Sequence, residues 1–231
     1  MSLAAKPRAS SPGTPTWPRP FPGTCKAPCS TAGRCVRRTP RFFVHRGVAD
    51  EFAEQLAAAA ATLKIGPGLA EDTVIGPLVS AEHLARVQDY VSSGRSEGAR
   101  LVGGGRRPAD LGDGFFFEPT VFTDVEDGMR IAREEIFGPV LSVLPYDSDE
   151  ELVARANDTE YGLAACVWTD DLSTAHRLAA QIHVGTVYVN MLPFLDPAAV
   201  HGGFGASGSG REFGPAGIEE FTETKGVWIG L

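Results

Sequence analysis

The sequence lacks two features that would each have indicated a broad class of protein. None of its apolar runs approaches the ~20 residues that a membrane-spanning helix requires, so we expect no spanning segment and no membrane partner. It also lacks an excess of basic residues, since the formal net charge is -8 and the pI is about 5.1. A general nucleic-acid-binding protein gains most of its affinity from a basic surface, so this charge argues against a nucleic-acid partner.

Cysteine is scarce and unevenly placed. The chain of 231 residues has four cysteines, and three of them lie within the first 35 residues. Small secreted domains carry an evenly distributed disulfide framework, so this distribution favours a reducing, cytoplasmic setting. Cys25, Cys29, Cys35 and His45 could alternatively form a zinc knuckle. Their spacings match none of the strong zinc patterns, and we therefore expect no metal site.

Acidic residues are absent from residues 1–46, a stretch that contains nine Lys or Arg residues and eight prolines. Closely spaced prolines fix φ and remove backbone donors, so we interpret residues 1–40 as a disordered, Pro-rich basic arm without a fold of its own. A transit peptide would share the arginines and serines of this arm. It would also need an amphipathic helix, which these prolines would break.

Beyond Arg41 the patterns of apolar residues become regular. "RFFVHR", "VLSVLPY", "LAACVWT" and "TVYVN" are typical of strands. Helices are predicted between them. One over "VADEFAEQLAAAAATLKIG" would end at Gly66, and one over "SAEHLARVQDYVSSG" would have Ser80 as its N-cap and end at Gly94. A capping box from Ser148 to Glu151 would open another. Strands alternating with helices predict parallel pairing through right-handed crossovers. The fold class is therefore α/β, with a parallel sheet and flanking helices.

Five sequence strings occur in a fixed order in the same region: "IAREEIFGPVLSV", "ANDTEYGLAACVWT", "GTVYVN", "HGGFGASGSGREFG" and "FTETKGVWI". Together they closely resemble the C-terminal half of the aldehyde dehydrogenase superfamily, from about residue 41 to residue 231. The resemblance implies an aldehyde dehydrogenase catalytic-domain-like unit at 41–215. It also implies that residues 216–231 are a C-terminal oligomerisation tail, whose strand pairs across subunits.

The resemblance implies a cofactor site in the "EEIFGP" string. In the family the second Glu hydrogen-bonds the hydroxyls of the nicotinamide ribose, and the Phe two residues later packs beside the nicotinamide ring. These positions are Glu135 and Phe137 here, and the cofactor would be NAD or NADP. The alternative is a solvated pair of carboxylates at a helix end with Phe137 in the core, and for Glu134 we favour that alternative.

The other motifs also have both a functional interpretation from the family and a structural one. Asn190 corresponds to a position near the family's substrate pocket, although a polar residue at a strand end is as often a turn-former. The "MLPFLDP" string after it would shape aldehyde selectivity. The Gly-rich "HGGFGASGSGRE" string is better explained by backbone packing than by a phosphate-binding loop. Cys166 lies in an apolar strand and behaves as a small hydrophobe, so we do not expect it to be the nucleophile.

The sequence departs from the family's pattern at the catalytic nucleophile. The family's catalytic Cys lies in a Gly-Gln-x-Cys string, five residues before the Arg that opens the "RFFV" strand. Here Cys35 lies six residues before Arg41 and the Gln is missing, so Cys35 is a candidate whose register is off by one. The family's oxyanion Asn, its general-base Glu and its cofactor-binding domain all precede this point. No acid occurs before Asp50 that could replace the base.

A displaced reading frame offers an alternative account of the arm. Permitted codons for residues 29–36, read one base earlier, encode Phe-His-Gly-Gly-Gln-Val-Cys, which is the family's active-site string. We hypothesise that residues 1 to about 38 are such a displaced frame of an aldehyde dehydrogenase gene. The coding DNA tests this directly.

Three functions are compatible with these observations. The first is NAD(P)-dependent oxidation of a small aldehyde to a carboxylic acid. The second is a truncated, inactive relative, and the third is an oligomerisation module that associates with full-length subunits or with itself as a homo-oligomer. Because the family's base and cofactor domain are missing, we expect the chain alone to be inactive.

Overall fold

A computed structural model of the chain describes the backbone of Ser2–Ala5 and residues 41–231. The strands are β1 (Ser2–Ala5), β2 (Arg41–His45), β3 (Arg100–Gly103), β4 (Thr120–Thr123), β5 (Val140–Tyr146), β6 (Tyr161–Gly162), β7 (Ala164–Trp168), β8 (Thr186–Val189) and β9 (Phe204–Gly205). The helices are α1 (Arg46–Ala61), α2 (Ala81–Ser96), α3 (Arg130–Arg133), α4 (Asp149–Asn157), α5 (Leu172–Gln181) and α6 (Gly214–Glu219). Among these helices, none has the length and apolarity needed to cross a lipid bilayer.

Seven of the strands form one sheet in the order β3-β4-β5-β2-β1-β7-β8. Every neighbouring pair is parallel except β3 and β4, which are antiparallel. β6 and β9 form a separate antiparallel pair. The predicted α/β class with a parallel sheet and flanking helices is confirmed.

Apolar residues cover both faces of the sheet. Along β2, Phe43 belongs to one buried cluster, whereas Phe42 and Val44 belong to the other. The alternation follows from the two-residue period of a strand, which sends successive side chains to opposite faces. α1 packs on the second face through Phe52 and Leu56, which are both fully buried.

α2 begins where the sequence predicts, with the Ser80 hydroxyl accepting the His83 amide hydrogen at 3.1 Å. Its predicted end at Gly94 is wrong, because the helix continues to Ser96. Gly94 instead allows close packing, since a Cβ there would lie 3.0 Å from Ile131 Cδ1. Likewise, α1 ends at Ala61, before the predicted stop at Gly66.

Ser2–Ala5 is an exception to the predicted arm. Its backbone pairs in parallel with both β2 and β7 and so lies within the sheet. The physical reason is that both neighbours are central strands whose inner edges need hydrogen-bond partners. The rest of the arm, with Cys25, Cys29 and Cys35, lies outside the described residues.

The oligomerisation strand predicted in "FTETKGVWI" is not formed within this chain, because no strand follows β9 in the described region. A lone strand needs another edge with which to pair. Val227, Trp228 and Ile229 are all exposed, and the exposed fraction of Trp228 reaches 97%. The tail therefore presents large apolar side chains to solvent.

Candidate cofactor-binding site

Residues 134–138, called here the 134–138 segment, connect α3 to the start of β5. Three side chains of α2 hydrogen-bond this segment along its length. Tyr90 donates its hydroxyl to Glu134 Oε2 (2.7 Å), Arg86 donates Nη2 to the Ile136 carbonyl (3.0 Å), and His83 Nε2 lies 3.0 Å from the Phe137 carbonyl oxygen. Residues three and four apart share one face of a helix, so a single face of α2 supports the whole segment.

Packing fixes the direction of the side chains in the segment. Ile136 is buried at 2% exposure, whereas Phe137 is 36% exposed and has a φ of 53°, in the left-handed region. A backbone in this region costs a non-glycine residue on the order of 1–3 kcal/mol. Gly138 then passes close to α2, since a Cβ there would lie 2.6 Å from Val87 Cγ2. The contacts with α2 hold Phe137 in a conformation that a free loop would avoid.

The two neighbouring carboxylates have different surroundings. Glu134 accepts hydrogen bonds from Tyr90 and Arg130, and the Tyr90 bond is the main reason that the pKa of Glu134 is below its ordinary value. Glu135 is exposed and makes no hydrogen bond or ion pair to the described residues. The interpretation of Glu134 as a helix-end residue is thus confirmed. The Glu135 carboxylate therefore accepts no hydrogen bond from the described residues, and its role in binding stays a prediction.

An open cavity of about 760 Å³ lies beside the segment. Its lining is mainly apolar and consists of Pro77, Leu78, Val79, Ser80, Glu82, His83, Arg86 and Phe137. The sequence analysis missed His83 and Arg86. Both lie beside the apolar stripe of an ordinary amphipathic helix, and their i, i+3 spacing alone does not distinguish them from surface residues.

Asn190 and the 134–138 segment lie at opposite ends of the parallel strands. Asn190 follows the carboxyl end of β8 with a φ of 53°, whereas the 134–138 segment precedes the amino end of β5 in the same parallel sheet. Its side chain joins β8 to β7, because Oδ1 accepts from the Thr169 amide at 2.9 Å and Nδ2 donates to the Thr169 carbonyl at 2.7 Å. The structure therefore brings Glu135 and Phe137 together but not Asn190.

The predicted cysteines divide between two regions. Cys35 lies outside the described residues, so its distance from Phe137 is not defined. Cys166 is buried in β7 at 1% exposure, as expected of a small hydrophobe.

Within the residues that the structure describes, no group of His, Cys, Asp and Glu is arranged to hold a metal ion. His45 caps α1, with Nδ1 accepting from the Gly47 amide at 3.2 Å.

Close backbone packing explains Gly202 and Gly205 of the Gly-rich string, as predicted. A Cβ at Gly202 would lie 2.5 Å from the Gly210 carbonyl oxygen, and one at Gly205 would lie 2.4 Å from the Glu160 carbonyl oxygen. Neither position can hold a side chain without moving the backbone. These glycines shape the polypeptide rather than a phosphate-binding loop.

Comparison with known proteins adds a second line of evidence. The model of the aldehyde dehydrogenase family matches residues 21–227. The chain belongs to the aldehyde dehydrogenase family. The match begins about twenty residues before the start near Arg41 that the motifs indicate, so it includes part of the arm.

Several relatives of this aldehyde dehydrogenase chain are similar over most of its length. The betaine aldehyde dehydrogenase of Bacillus subtilis is 45% identical over 199 residues, which are 85% of this chain and 41% of the relative. The aldehyde dehydrogenase of Bacillus cereus, solved as an NAD+ complex, has a TM-score of 0.85 and 42% identity, covering 90% of this chain and 42% of that one. The aldehyde dehydrogenase of Mycobacterium tuberculosis, also complexed with NAD+, has a TM-score of 0.83 and 37% identity, with coverages of 96% and 44%. The chain spans less than half of each protein.

Proposed function

We propose that this chain is the catalytic-domain part of an NAD(P)-dependent aldehyde dehydrogenase, which oxidises a small aldehyde to a carboxylic acid. Within that enzyme, the 134–138 segment holds the nicotinamide end of NAD or NADP. The observation that carries the proposal is the support of this segment by α2, which leaves the Glu135 carboxylate and the Phe137 ring exposed.

The side chains of Glu135 and Phe137 suit the nicotinamide ribose and the nicotinamide ring. A carboxylate without protein partners can accept hydrogen bonds from two vicinal ribose hydroxyls at once, and Glu135 is such a carboxylate among the described residues. The aromatic ring of Phe137 lines the cavity and would exclude water from a neighbouring ring. The nicotinamide, when bound, supplies the hydride acceptor. The residues of this chain bind and orient it.

His83 and Arg86 would extend this surface. Each uses one donor to hold the backbone of the 134–138 segment, and both also line the cavity. A guanidinium has five N–H donors, so Arg86 retains capacity to bind an oxygen-rich ligand after the bond to Ile136 is made. The same two residues can therefore support the segment and contact what lies on it.

We assign Asn190 an indirect role in the substrate pocket. Its two hydrogen bonds to Thr169 fix the start of residues 191–197, the loop that the family resemblance connects with aldehyde selectivity. Cys35 is the proposed nucleophile of this chain, on the family resemblance alone. A reducing, cytoplasmic setting suits this thiol chemistry.

A second candidate function is an oligomerisation module that associates with a copy of itself or with full-length subunits. The exposed apolar residues of the tail favour it, since Phe221 is 92% and Trp228 97% exposed. Exposed apolar side chains of this size are typical of surfaces that associate. This function and the first can coexist in one oligomeric enzyme.

A chimaera tests the proposed function. The N-terminal part of the Bacillus cereus aldehyde dehydrogenase is joined to residues 41–231 of this chain, so that the relative supplies the part of its length that this chain does not span. We expect the chimaera to oxidise simple aldehydes with NAD or NADP, and the present chain alone to show neither turnover nor saturable NAD binding. A folded chimaera without activity would contradict the proposal. Aldehyde turnover by the isolated chain that is lost on Cys35→Ala would contradict its expected inactivity and support Cys35 as the nucleophile.

A further inference from the structure

Phe213, the residue just before α6, has a backbone conformation that side chains rarely adopt. Its φ is 61° and its ψ is 167°, in a region of backbone space that glycine almost alone occupies. Another residue stays in this region only when the surrounding structure holds it there, and such residues concentrate at functional sites. Gly214, which follows, also has a positive φ, of 59°. The reason for this sharp turn therefore lies in the contacts around it.

Main-chain hydrogen bonds on both sides of Phe213 hold this conformation. Before it, Glu212 and His201 exchange a pair of bonds, in which each amide donates to the other's carbonyl at 2.7 Å. After it, the Gly214 amide donates to the Pro197 carbonyl at 2.9 Å. Both ends of one short loop segment are thus fixed to the residues that flank Phe213.

Residues 197–201, called here the anchored segment, continue the loop 191–197 that we assign to the aldehyde pocket. The Tyr188 hydroxyl supports the middle of this loop by donating to the Phe194 carbonyl at 3.0 Å. The anchored segment gains little support from burial, because its first four residues are exposed. Its position therefore depends on the hydrogen bonds on either side of Phe213.

The sequence has phenylalanine at the position where glycine would cost least. Glycine is frequent in the surrounding string, at Gly202, Gly203, Gly205, Gly208, Gly210 and Gly214. Glycine at position 213 would remove the backbone strain, so we expect the aromatic side chain to contribute contacts that glycine would lose. The Phe213 ring lines an open apolar cavity of about 730 Å³ together with Pro197 and Ala198 of the anchored segment. The ring thus lies beside the segment that its own backbone fixes.

We propose that Phe213 is a positioning residue for the aldehyde pocket. Its backbone joins the two anchor points of the anchored segment, and its ring supports the same segment from the cavity. Phe213 acts through residues 191–201 and does not touch the aldehyde itself. The assignment rests on the proposed function, because the role of this loop in the substrate pocket belongs to that proposal.

Amide exchange in the full chain tests the positioning and needs no enzymatic activity. Phe213→Ala keeps the strained backbone and loses the ring, so we expect exchange at the His201 and Gly214 amides to rise about tenfold or more. Phe213→Leu keeps a large apolar side chain and should stay within about threefold of the wild type. Phe213→Gly loses the ring but carries no strain, so its exchange should lie between those of the wild type and Phe213→Ala.

Ile218→Ala is the matched control, since Ile218 lines the same cavity but is 70% exposed and lies outside the anchor points. It should leave both amides unchanged. The Asn190 amide, which donates to the Val167 carbonyl, should keep its exchange rate in every variant. Unaltered exchange at His201 and Gly214 in Phe213→Ala, or exchange in Phe213→Gly as fast as in Phe213→Ala, would overturn the proposal.

The kinetics of the chimaera test the connection with the aldehyde. Phe213→Ala should raise the KM for the aldehyde about fivefold, because a displaced loop weakens binding of this substrate. The KM for NAD should stay the same, since the 134–138 segment lies at the opposite end of the strands. Phe213→Leu should restore the KM for the aldehyde.

An unchanged KM for the aldehyde in an active Phe213→Ala chimaera, or equal increases of both KM values, would overturn the role of Phe213 in the aldehyde pocket. A parent chimaera without activity would instead contradict the proposed function. The exchange measurement would still decide whether Phe213 holds the anchored segment, so the two failures can be distinguished.

Discussion

His83 Nε2 lies 3.0 Å from the carbonyl oxygen of Phe137 and donates its hydrogen to it. A carbonyl can only accept, so the proton of a neutral His83 is on Nε2. Two further side chains on the same face of α2 reach the residues just before Phe137. The exposed ring of Phe137 thus depends on a helix that lies some fifty residues earlier in the chain.

Replacement of His83 by Ala should loosen the end of the 134–138 segment. We expect the free energy of unfolding to fall by about 1 kcal/mol, the usual value of one hydrogen bond, with faster amide exchange at residues 136–138. His176→Ala, on the exposed side of α5, is the matched control and should change neither quantity. Unaltered exchange at residues 136–138 in His83→Ala would show that His83 does not hold the segment.

Tyr90→Phe tests the hydrogen bond to Glu134 through pH. The pKa of Glu134 is lowered from its ordinary 4.5, mainly by Tyr90, so its contribution to stability is present above that pH and lost as the pH falls. The pKa of Tyr90 is raised from 10.0, chiefly by burial and then by Glu134, so its contribution is present below that pH and lost as the pH rises.

The stability difference between the wild type and Tyr90→Phe should therefore be largest between these two pH values. We expect a difference in the free energy of unfolding of about 1 kcal/mol. This is less than hydrogen bonds to charged groups usually contribute, because Glu134 is half exposed. Denaturant unfolding at a series of pH values measures it. A difference that is constant from acid to alkaline pH would show that the hydroxyl contributes through packing alone.

Asn190 combines a left-handed backbone with two hydrogen bonds to Thr169. Asn190→Ala should lower the free energy of unfolding by about 2 kcal/mol, because it loses both bonds and places a Cβ residue without compensation at positive φ. Asn190→Gly loses the same bonds but tolerates the backbone, so we expect a smaller loss. Thermal unfolding of the two variants should rank them in this order. The reverse order would exclude the backbone contribution.

The tail should control association. Phe221, Val227, Trp228 and Ile229 are each more than 70% exposed, and the tail forms no strand within the described chain. We expect the purified chain to sediment as a dimer or larger oligomer at micromolar concentration, and deletion of residues 221–231 to reduce its size. A monodisperse monomer that the deletion leaves unchanged would remove the oligomerisation function from consideration.

The sequence predicts the parallel sheet because the period of apolar residues is local information. The Ser148 hydroxyl accepts the Glu151 amide hydrogen as the capping-box pattern predicts, although the Glu151 carboxylate accepts from the Asp147 amide rather than from that of Ser148. Gly94 was misinterpreted as a helix end because the same residue type serves to end helices and to allow close packing. Only the position of Ile131 distinguishes the two uses.

Long-range pairing is the part that the sequence does not encode in a recognisable way. Ser2–Ala5 has weak strand propensity, and its place between β2 and β7 depends on two edges contributed by distant residues. The same limit applies to the candidate site. The family resemblance of "EEIFGP" predicts Glu135 and Phe137 as site residues, but the α2 side chains that hydrogen-bond the 134–138 segment have no motif of their own.

The central claim is that Glu135, and not its neighbour Glu134, binds the nicotinamide ribose. Its most direct test is the KM for NAD of the chimaera, measured for Glu135→Gln and for the matched variant Glu134→Gln. We expect Glu135→Gln to raise this KM about tenfold or more, as the loss of charge-assisted hydrogen bonds would do. Glu134→Gln keeps an acceptor for Tyr90 and should change the KM by less than about twofold, with a small loss of stability instead. An equal effect of the two substitutions, or an unchanged KM in Glu135→Gln, would contradict the account.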